Sequence, residues 1–469
     1  MAPSPTGEYH VGHISTLLKN YAFAKKHGGQ FVLRIEDTDQ VRKVDGAVEK
    51  ILSVIHQYGL DWDEGPDKGG PYGPYTQSER LPLYASMAQK LVQSGHAYYC
   101  TCSSERLAQV REKSIAEKIP PKYDRHCLKK QTEVLKAIAD GQAFVIRLKS
   151  PDAVDITFID LIRGTITINS ESVDDQVLLK SDGFPTYHLA VVVDDHEMNI
   201  THIFRGEEWI SSTPKHILLY EAFGWEKPVY AHIPVFLNPD GKGKMSKRKG
   251  TVSAVSFLES GYLPEALLNF FMILGWTPKD QREVITLNEY IAEFEPKDIS
   301  PKSVVFDVKK LQWLNGVYIR NLSLDELAVR CEPFLPEYFG KDKLPVLLPL
   351  VAERLVTLAD IVPLTEYFFV RPQPQTELLT KKSTNTIVID QLQKTAELFK
   401  GVTWKADELE QQVRLMQEKW GWQPGQFFMM LRVAVTGKTA TPPLFDTIAA
   451  VERSEVLTRL QEAIIAVSH

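Results

Sequence analysis

The sequence predicts an α/β domain interrupted by a β-rich insert and followed by a long all-helical arm. Three observations carry that prediction. The first hundred residues alternate between helical apolar spacing and short apolar runs. Residues 144–148 and 153–180 are rich in β-branched residues. From about residue 256 onward nearly every segment has helical periodicity.

The elements follow in order. Residues 14–27 (ISTLLKNYAFAKKH) space their apolar positions for a helix and run into Gly28-Gly29, a helix stop. Residues 31–35 (FVLRI) form an apolar run suited to a buried strand. Residues 46–58 are helical again and end before Gly59. Between 63 and 76, Gly65, Gly69, Gly70 and Gly73 with three prolines predict a long ordered loop, and a helix follows through 79–94. The texture changes near residue 98, where the strand-rich insert begins, and α/β alternation resumes over 187–223. In the helical region, Thr286…Glu289 and Ser323…Glu326 have the spacing of capping boxes, and prolines 345, 349, 363, 372 and 374 punctuate the helices.

Composition bounds the function. The chain of 469 residues is 43% hydrophobic and 24% charged, which excludes a mostly disordered or collagen-like protein. No apolar run approaches the roughly 18 residues of a membrane span. The start, Met1-Ala2-Pro3-Ser4-Pro5, lacks the basic and apolar regions of a secretory signal. Four cysteines are too few for a disulfide framework, so the expected location is a reducing compartment, the cytoplasm. A net charge of −6 argues against coating nucleic acid by bulk charge, but not against a local basic face.

Two motifs carry chemistry. His10-Val11-Gly12-His13 opens a helix, where free N–H groups and the dipole favour anionic phosphate. Gly12 lets a flat ligand approach the backbone, and the imidazoles can donate to phosphate oxygens as charge builds. Alone, the pair reads as surface capping residues. The second motif, Asn238-Pro-Asp-Gly-Lys-Gly-Lys-Met-Ser-Lys-Arg-Lys-Gly250, holds five basic residues among glycines. Such a loop can swing onto a polyphosphate and release it. Alone, it reads as a solvated basic loop.

Together the two motifs resemble the signatures of class I aminoacyl-tRNA synthetases. Arg34-Ile-Glu-Asp-Thr-Asp39, Tyr75-Thr-Gln-Ser-Glu-Arg80, Phe184-Pro-Thr-Tyr-His188, Val191-Val-Val-Asp-Asp-His196, Phe204-Arg-Gly-Glu-Glu-Trp209, Leu311-Gln-Trp-Leu-Asn-Gly316 and Leu431-Arg-Val-Ala-Val-Thr-Gly437 narrow the resemblance to bacterial glutamyl-tRNA synthetases. The resemblance spans nearly the whole chain. It implies a Rossmann-like catalytic domain in two halves, 1–97 and 186–232, around an inserted acceptor-stem-binding domain, 98–185. A stem-contact region with the lysine loop, 233–318, and a helical anticodon-binding region, 319–469, would follow.

The implied reaction joins glutamate to ATP as glutamyl adenylate, then moves the glutamyl group to the 3′-terminal adenosine of tRNA(Glu). His10, His13, Lys244 and Lys247 would be catalytic, with Lys247 the stronger of the lysines. ATP would be held by His10, Gly12, His13, Glu208, Lys244, Met245, Ser246 and Lys247. Mg²⁺ would bridge the phosphates, held mainly by substrate and water. Ser4, Thr6, Glu36, Tyr187 and Arg205 would bind glutamate, Arg205 gripping a carboxylate and Glu36 lying near the ammonium. Set against that, Glu36 and Arg205 read as a structural ion pair and Tyr187 as a core aromatic.

The family pattern has an arginine and a full first strand before Ala2, so the resemblance also implies a shortened start and impaired glutamate binding. Cys100, Cys102, Tyr123 and Cys127 match a structural zinc site of the family; in another version of the pattern a histidine falls where Lys129 stands, with His126 nearby. Cys331 is expected to be uninvolved. Arg354 matches an arginine that reads the third anticodon base, while Trp404, Trp420 and Trp422 read as core aromatics more than as base-stacking ones. A glutaminyl enzyme would carry a β-barrel where 320–469 reads helical, the truncated relative lacks the arm, and a dead RNA-binding paralogue fits poorly with intact His10, His13, Lys244 and Lys247. A monomer with no membrane association completes the expectation.

Overall fold

The computed structural model describes residues 1–7, 9–245 and 253–469. The chain forms two compact units, one from residues 1–256 and 267–308, the other from 257–266 and 309–469.

In the first unit, helix α1 (Val11–Lys26) buries Val11, Ile14, Leu17, Leu18 and Ala22, the face that the apolar spacing predicts. Lys19 lies on that buried face too. Residues 31–35 do not form a regular ladder as predicted. They run extended, but touch their neighbours at single bridges, Val32 with Glu64 and Ile35 with Thr76. The neighbouring backbone is the glycine- and proline-rich loop, which curls away after each contact; Arg34 N and Glu36 N bond instead to Met1 O and Pro3 O. Helices α2 (Ala47–Gln57) and α3 (Leu81–Gln93) stand where the periodicity places them.

The β-rich stretch divides between two sheets. Strands β1 (Ala97–Cys100), β2 (Val145–Leu148) and β5 (Val177–Leu179) make a small antiparallel sheet, with helices α4 (Ser104–Ala116) and α5 (Gln131–Ala139) in the long connection. The hairpin of β3 (Asp155–Asp160) and β4 (Gly164–Asn169) leaves it and joins the larger sheet, of order β4-β3-β7-β6. Its other members are β6 (His202–Gly206) and β7 (Val229–Ile233), mutually parallel and separated by helix α7 (Thr213–Phe223). Strand β7 is central and nearly all buried, as a strand covered on both faces must be. Helix α6 (Tyr187–Glu197) precedes β6 and buries Leu189 to Asp195. Strands β8 (Phe236–Leu237) and β9 (Val304–Val305) pair as a two-residue ribbon, the exception to helix beyond residue 256.

The capping box at Thr286 forms: its Oγ1 accepts from Glu289 N at 3.3 Å, and Glu289 accepts from Thr286 N at 2.8 Å. In the second unit the Ser323…Glu326 box forms in the same way. That unit is helical throughout its described elements beyond residue 309, around a core that includes Leu348, Val351, Leu392, Phe399, Phe427 and Leu460. No helix among the described residues is long and apolar enough to cross a membrane.

Candidate active site

The histidine pair sits where α1 begins. His10 is the N-cap residue, extended at φ −100° and ψ 164°, and its ring stacks on His13 at 3.6 Å between centroids. The His10 N–H points at His13 Nδ1, 3.4 Å away. A Cβ on Gly12 would stand only 3.0 Å from the His10 imidazole, so glycine at this position leaves room for that ring. The helix start therefore presents two imidazoles and the positive end of a helix dipole to an anion.

The chain that leaves the lysine loop runs beside this helix end, and the chain that enters it is fixed on a neighbouring strand. On its near side Lys244 bridges Leu237, and Met245 N donates to Phe236 O at 2.7 Å. The Lys244 ammonium lies 3.3 Å from Glu208. On its far side His10 bridges Ser253, and Ala254 N donates to Tyr9 O at 3.0 Å. The histidine motif thus meets, across more than two hundred residues of sequence, the chain just past the lysine loop. Ser246 and Lys247 lie outside the described residues.

Glu36 and Arg205 do not pair with each other; each has its own surroundings. Arg34 is buried among three carboxylates, at 2.8 Å from Asp195, 3.1 Å from Glu36 and 3.5 Å from Asp194. Asp194 also receives Arg80, Gln77 and Tyr84 at 2.8 Å, with a second Tyr84 contact at 2.9 Å. Burial pushes the Glu36 carboxyl up to about 7, against the pull of Arg34. Ser4 and Thr6 belong to the segment that runs beside it: Glu36 N donates to Pro3 O at 3.0 Å and Val44 N to Pro5 O at 3.0 Å.

Arg205 ends β6, at the carboxyl edge where parallel sheets bind ligands. Its guanidinium meets His232, His216 and Thr213 at 3.1, 3.1 and 2.8 Å. Tyr187 opens α6, half-buried, with its ring 4.4 Å from Trp209; burial first, then Glu36, raise its phenol, while Arg205 pulls it down. It packs against the core and also feels both Glu36 and Arg205.

Residues 1–313 match the family described as tRNA synthetases class I (E and Q), catalytic domain, and 326–464 match an anticodon binding domain. The chain belongs to the class I glutamyl and glutaminyl tRNA synthetases. Its relatives include a glutamate–tRNA ligase of Dehalococcoides mccartyi, 44% identical over 100% of this chain and 97% of the relative. Another, from Acidothermus cellulolyticus, is 46% identical over 99% and 94%. The solved glutamate tRNA ligase of Elizabethkingia meningosepticum, in complex with its amino acid, superposes with a TM-score of 0.90 at 34% identity, covering 99% of this chain and 98% of that one. The family and the helical arm together make this an aminoacyl-tRNA synthetase of the glutamate type, acting on tRNA and glutamate.

The synthetase carries a thiol cluster in its small sheet. Ligand atoms of Cys100, Cys102 and Cys127 lie within 4.8 Å of one another, and the Cys102 and Cys127 sulfurs are 3.4 Å apart. The Tyr123 hydroxyl stands 3.4 Å from Cys100 and 3.3 Å from Cys102, and accepts from Cys127 N at 2.9 Å. Three soft sulfurs and a phenol oxygen suit tetrahedral Zn²⁺. His126 is not part of the cluster, and Cys331 is buried in the second unit's core.

In the second unit Arg354 is exposed at the end of a short 3₁₀ turn. It adds to burial in lowering the pKa of Arg432, whose guanidinium donates to Pro442 O at 2.8 Å. Trp404 is half-buried and donates to Val451 O at 2.9 Å, and Trp422 packs on the core. Trp420 is 48% exposed, with the Lys394 ammonium 3.3 Å over its ring. Motif reading assigned no role to Asp160, Thr213, His216 or His232, the shell around Arg205. Their signal was a surplus of buried polar residues at strand and helix ends.

Proposed function

We propose that this ligase activates L-glutamate with ATP and Mg²⁺ to glutamyl adenylate, releasing pyrophosphate, and then esterifies the 3′-terminal adenosine of tRNA(Glu), releasing AMP. The observation that carries the reading is the backbone contact between the histidine pair and the chain leaving the lysine loop, at the helix start that favours phosphate. His10, Gly12, His13, Glu208, Lys244 and Met245, with Ser246 and Lys247 of the loop, hold ATP in this reading. His10, His13, Lys244 and Lys247 stabilise charge as pyrophosphate leaves. Positioning and electrostatics do the catalysis, and no covalent enzyme nucleophile is needed.

In the same reading Arg205 takes a glutamate carboxylate, Glu36 faces the ammonium, and Ser4, Thr6 and Tyr187 wrap the remainder. The span 98–185 meets the acceptor stem, 233–318 the stem, and 319–469 the anticodon, with Arg354 reading its third base. Zn²⁺ on Cys100, Cys102, Tyr123 and Cys127 is structural, the protein is monomeric, and the site of action is the cytoplasm. The test is ATP–pyrophosphate exchange with glutamate or glutamine, with and without tRNA. Exchange with glutamate alone, and only with tRNA present, is expected. Exchange with glutamine, or none under any condition, overturns the reading.

A further inference from the structure

Arg205 and Arg34 are both buried, but they are held in opposite ways. Arg34 is surrounded by carboxylates, so its charge is already cancelled. Arg205 makes its hydrogen bonds to two imidazoles and a hydroxyl, all neutral acceptors.

The proton positions follow from one fact: a guanidinium has N–H donors and no acceptor. Nε of Arg205 donates to Nε2 of His232 at 3.1 Å, so the proton of that ring is on Nδ1. Nδ1 donates in turn to Asp160 Oδ2 at 2.6 Å. Nη1 of Arg205 donates to Nδ1 of His216 at 3.1 Å, which puts that ring's proton on Nε2, directed at Nδ1 of His188 at 3.0 Å. Nη2 donates to Thr213 Oγ1 at 2.8 Å. Burial keeps both His216 and His232 below the ordinary imidazole range, so they stay neutral acceptors.

Asp160 is itself fixed. It accepts from Ile162 N and Arg163 N at 2.9 Å in the turn of the β3–β4 hairpin, and from His232 N at 2.9 Å. Among the described residues no carboxylate is hydrogen-bonded to Arg205: Asp160 is reached through one imidazole, and Asp195 acts on the guanidinium through space only. Two of the five guanidinium N–H groups, one on each terminal nitrogen, remain for Tyr187 and an incoming carboxylate.

We propose that His216 and His232 are positioning residues for amino-acid recognition. They clamp Arg205 in one orientation as neutral acceptors and leave its positive charge uncancelled for a substrate carboxylate, while Asp160 fixes the His232 tautomer. This rests on the assignment of Arg205 to glutamate made above.

The test is steady-state aminoacylation by the full chain with tRNA present, comparing glutamate KM, ATP KM and kcat in Arg205→Lys, His216→Leu, His216→Asn and the Arg205→Lys/His216→Leu double variant. His216→Leu is expected to raise glutamate KM by about tenfold to a hundredfold, the loss of one hydrogen bond to a charged group, with ATP KM within about twofold of wild type. His216→Asn, whose Oδ1 can stand where Nδ1 stood, is expected to restore most of it. In the Arg205→Lys background His216→Leu should add less than about threefold, because the clamped group is gone. Should His216→Leu not fold, Thr213→Val removes the Nη2 acceptor and is expected to raise glutamate KM by about threefold to tenfold.

An unchanged glutamate KM in His216→Leu, with Arg205→Lys impaired, overturns the clamp alone. The same holds for an effect of His216→Leu that is undiminished in the Arg205→Lys background, or for equal rises in glutamate and ATP KM. An unchanged glutamate KM in Arg205→Lys overturns both the clamp and the assignment beneath it.

Discussion

Lys19→Met should stabilise the protein at neutral pH, and the gain should disappear in mild alkali. Lys19 is 1% exposed on the inner face of α1. Among the described residues its ammonium meets no carboxylate, only Ser15 Oγ at 2.8 Å, Ser15 O at 3.5 Å and Phe271 O at 3.4 Å. Burial pushes it down from 10.5 to about 7. A base whose folded value is lowered penalises folding wherever the unfolded chain holds the proton. Below pH 7 the penalty is constant, and the shift of about 3.5 pH units sets it near 5 kcal/mol. It shrinks as pH rises from 7 toward 10.5. The linkage relation gives about 4 kcal/mol at pH 7 and about 2 kcal/mol at pH 9. Methionine keeps the length and removes the titration, but forfeits the hydrogen bonds to Ser15 and Phe271, about 1 kcal/mol each. The net gain is therefore about 2 kcal/mol at pH 7 and near zero at pH 9. Urea denaturation of both proteins at pH 7, 8 and 9, followed by circular dichroism, measures the difference. A difference that does not change over that range refutes the buried-amine argument.

Three further outcomes are expected. Glutamate KM of the wild type should rise as pH falls from 8 to 6, because burial holds the Glu36 carboxyl near 7 and protonation removes the partner of the substrate ammonium; Glu36→Gln should have a higher KM and a flat profile, and parallel profiles would exclude that role. Gly12→Ala should raise ATP KM and lower kcat, costing about 1–3 kcal/mol in kcat/KM, since its Cβ meets the His10 ring at 3.0 Å; pyrophosphate exchange reads it, and a wild-type ATP KM would show that the ring has another place to go. Purified wild type should contain one zinc per chain by elemental analysis, and Cys127→Ser should lose it together with several degrees of Tm; a wild type without zinc would reduce the cluster to packed thiols.

Much of this was legible in the sequence. The apolar spacing of α1 follows from one helix face meeting a core, and the caps at Thr286 and Ser323 are local chemistry within four residues. The motif at His10 and the loop at Lys244 were each ambiguous alone and took a meaning only from the resemblance of the pair to the synthetase signatures. What periodicity could not supply was partners. It marked 31–35 as buried and extended, yet single bridges replaced a ladder because the pairing segments are loops. Nor could it show that Asp160 holds His232 across 72 residues, or that Asp194 gathers Arg80, Gln77 and Tyr84 across more than a hundred. Lys19 gives no sign of burial in the sequence; only the structure, where its ammonium reaches the Phe271 carbonyl 252 residues away, reveals it.

The chain visits the small antiparallel sheet, leaves it for the β3–β4 hairpin, and returns to it at β5. Anyone trimming this protein by excising 98–185 as a block would therefore remove an edge of the larger sheet and the aspartate behind Arg205 as well. That excision would also uncover α3 and α6, whose apolar faces share a core with Ile146, Leu148, Leu178 and Leu179 of the small sheet. The cysteine end of the insert stands apart in its own small cluster, but the sheet behind it and the hairpin are both part of the chassis.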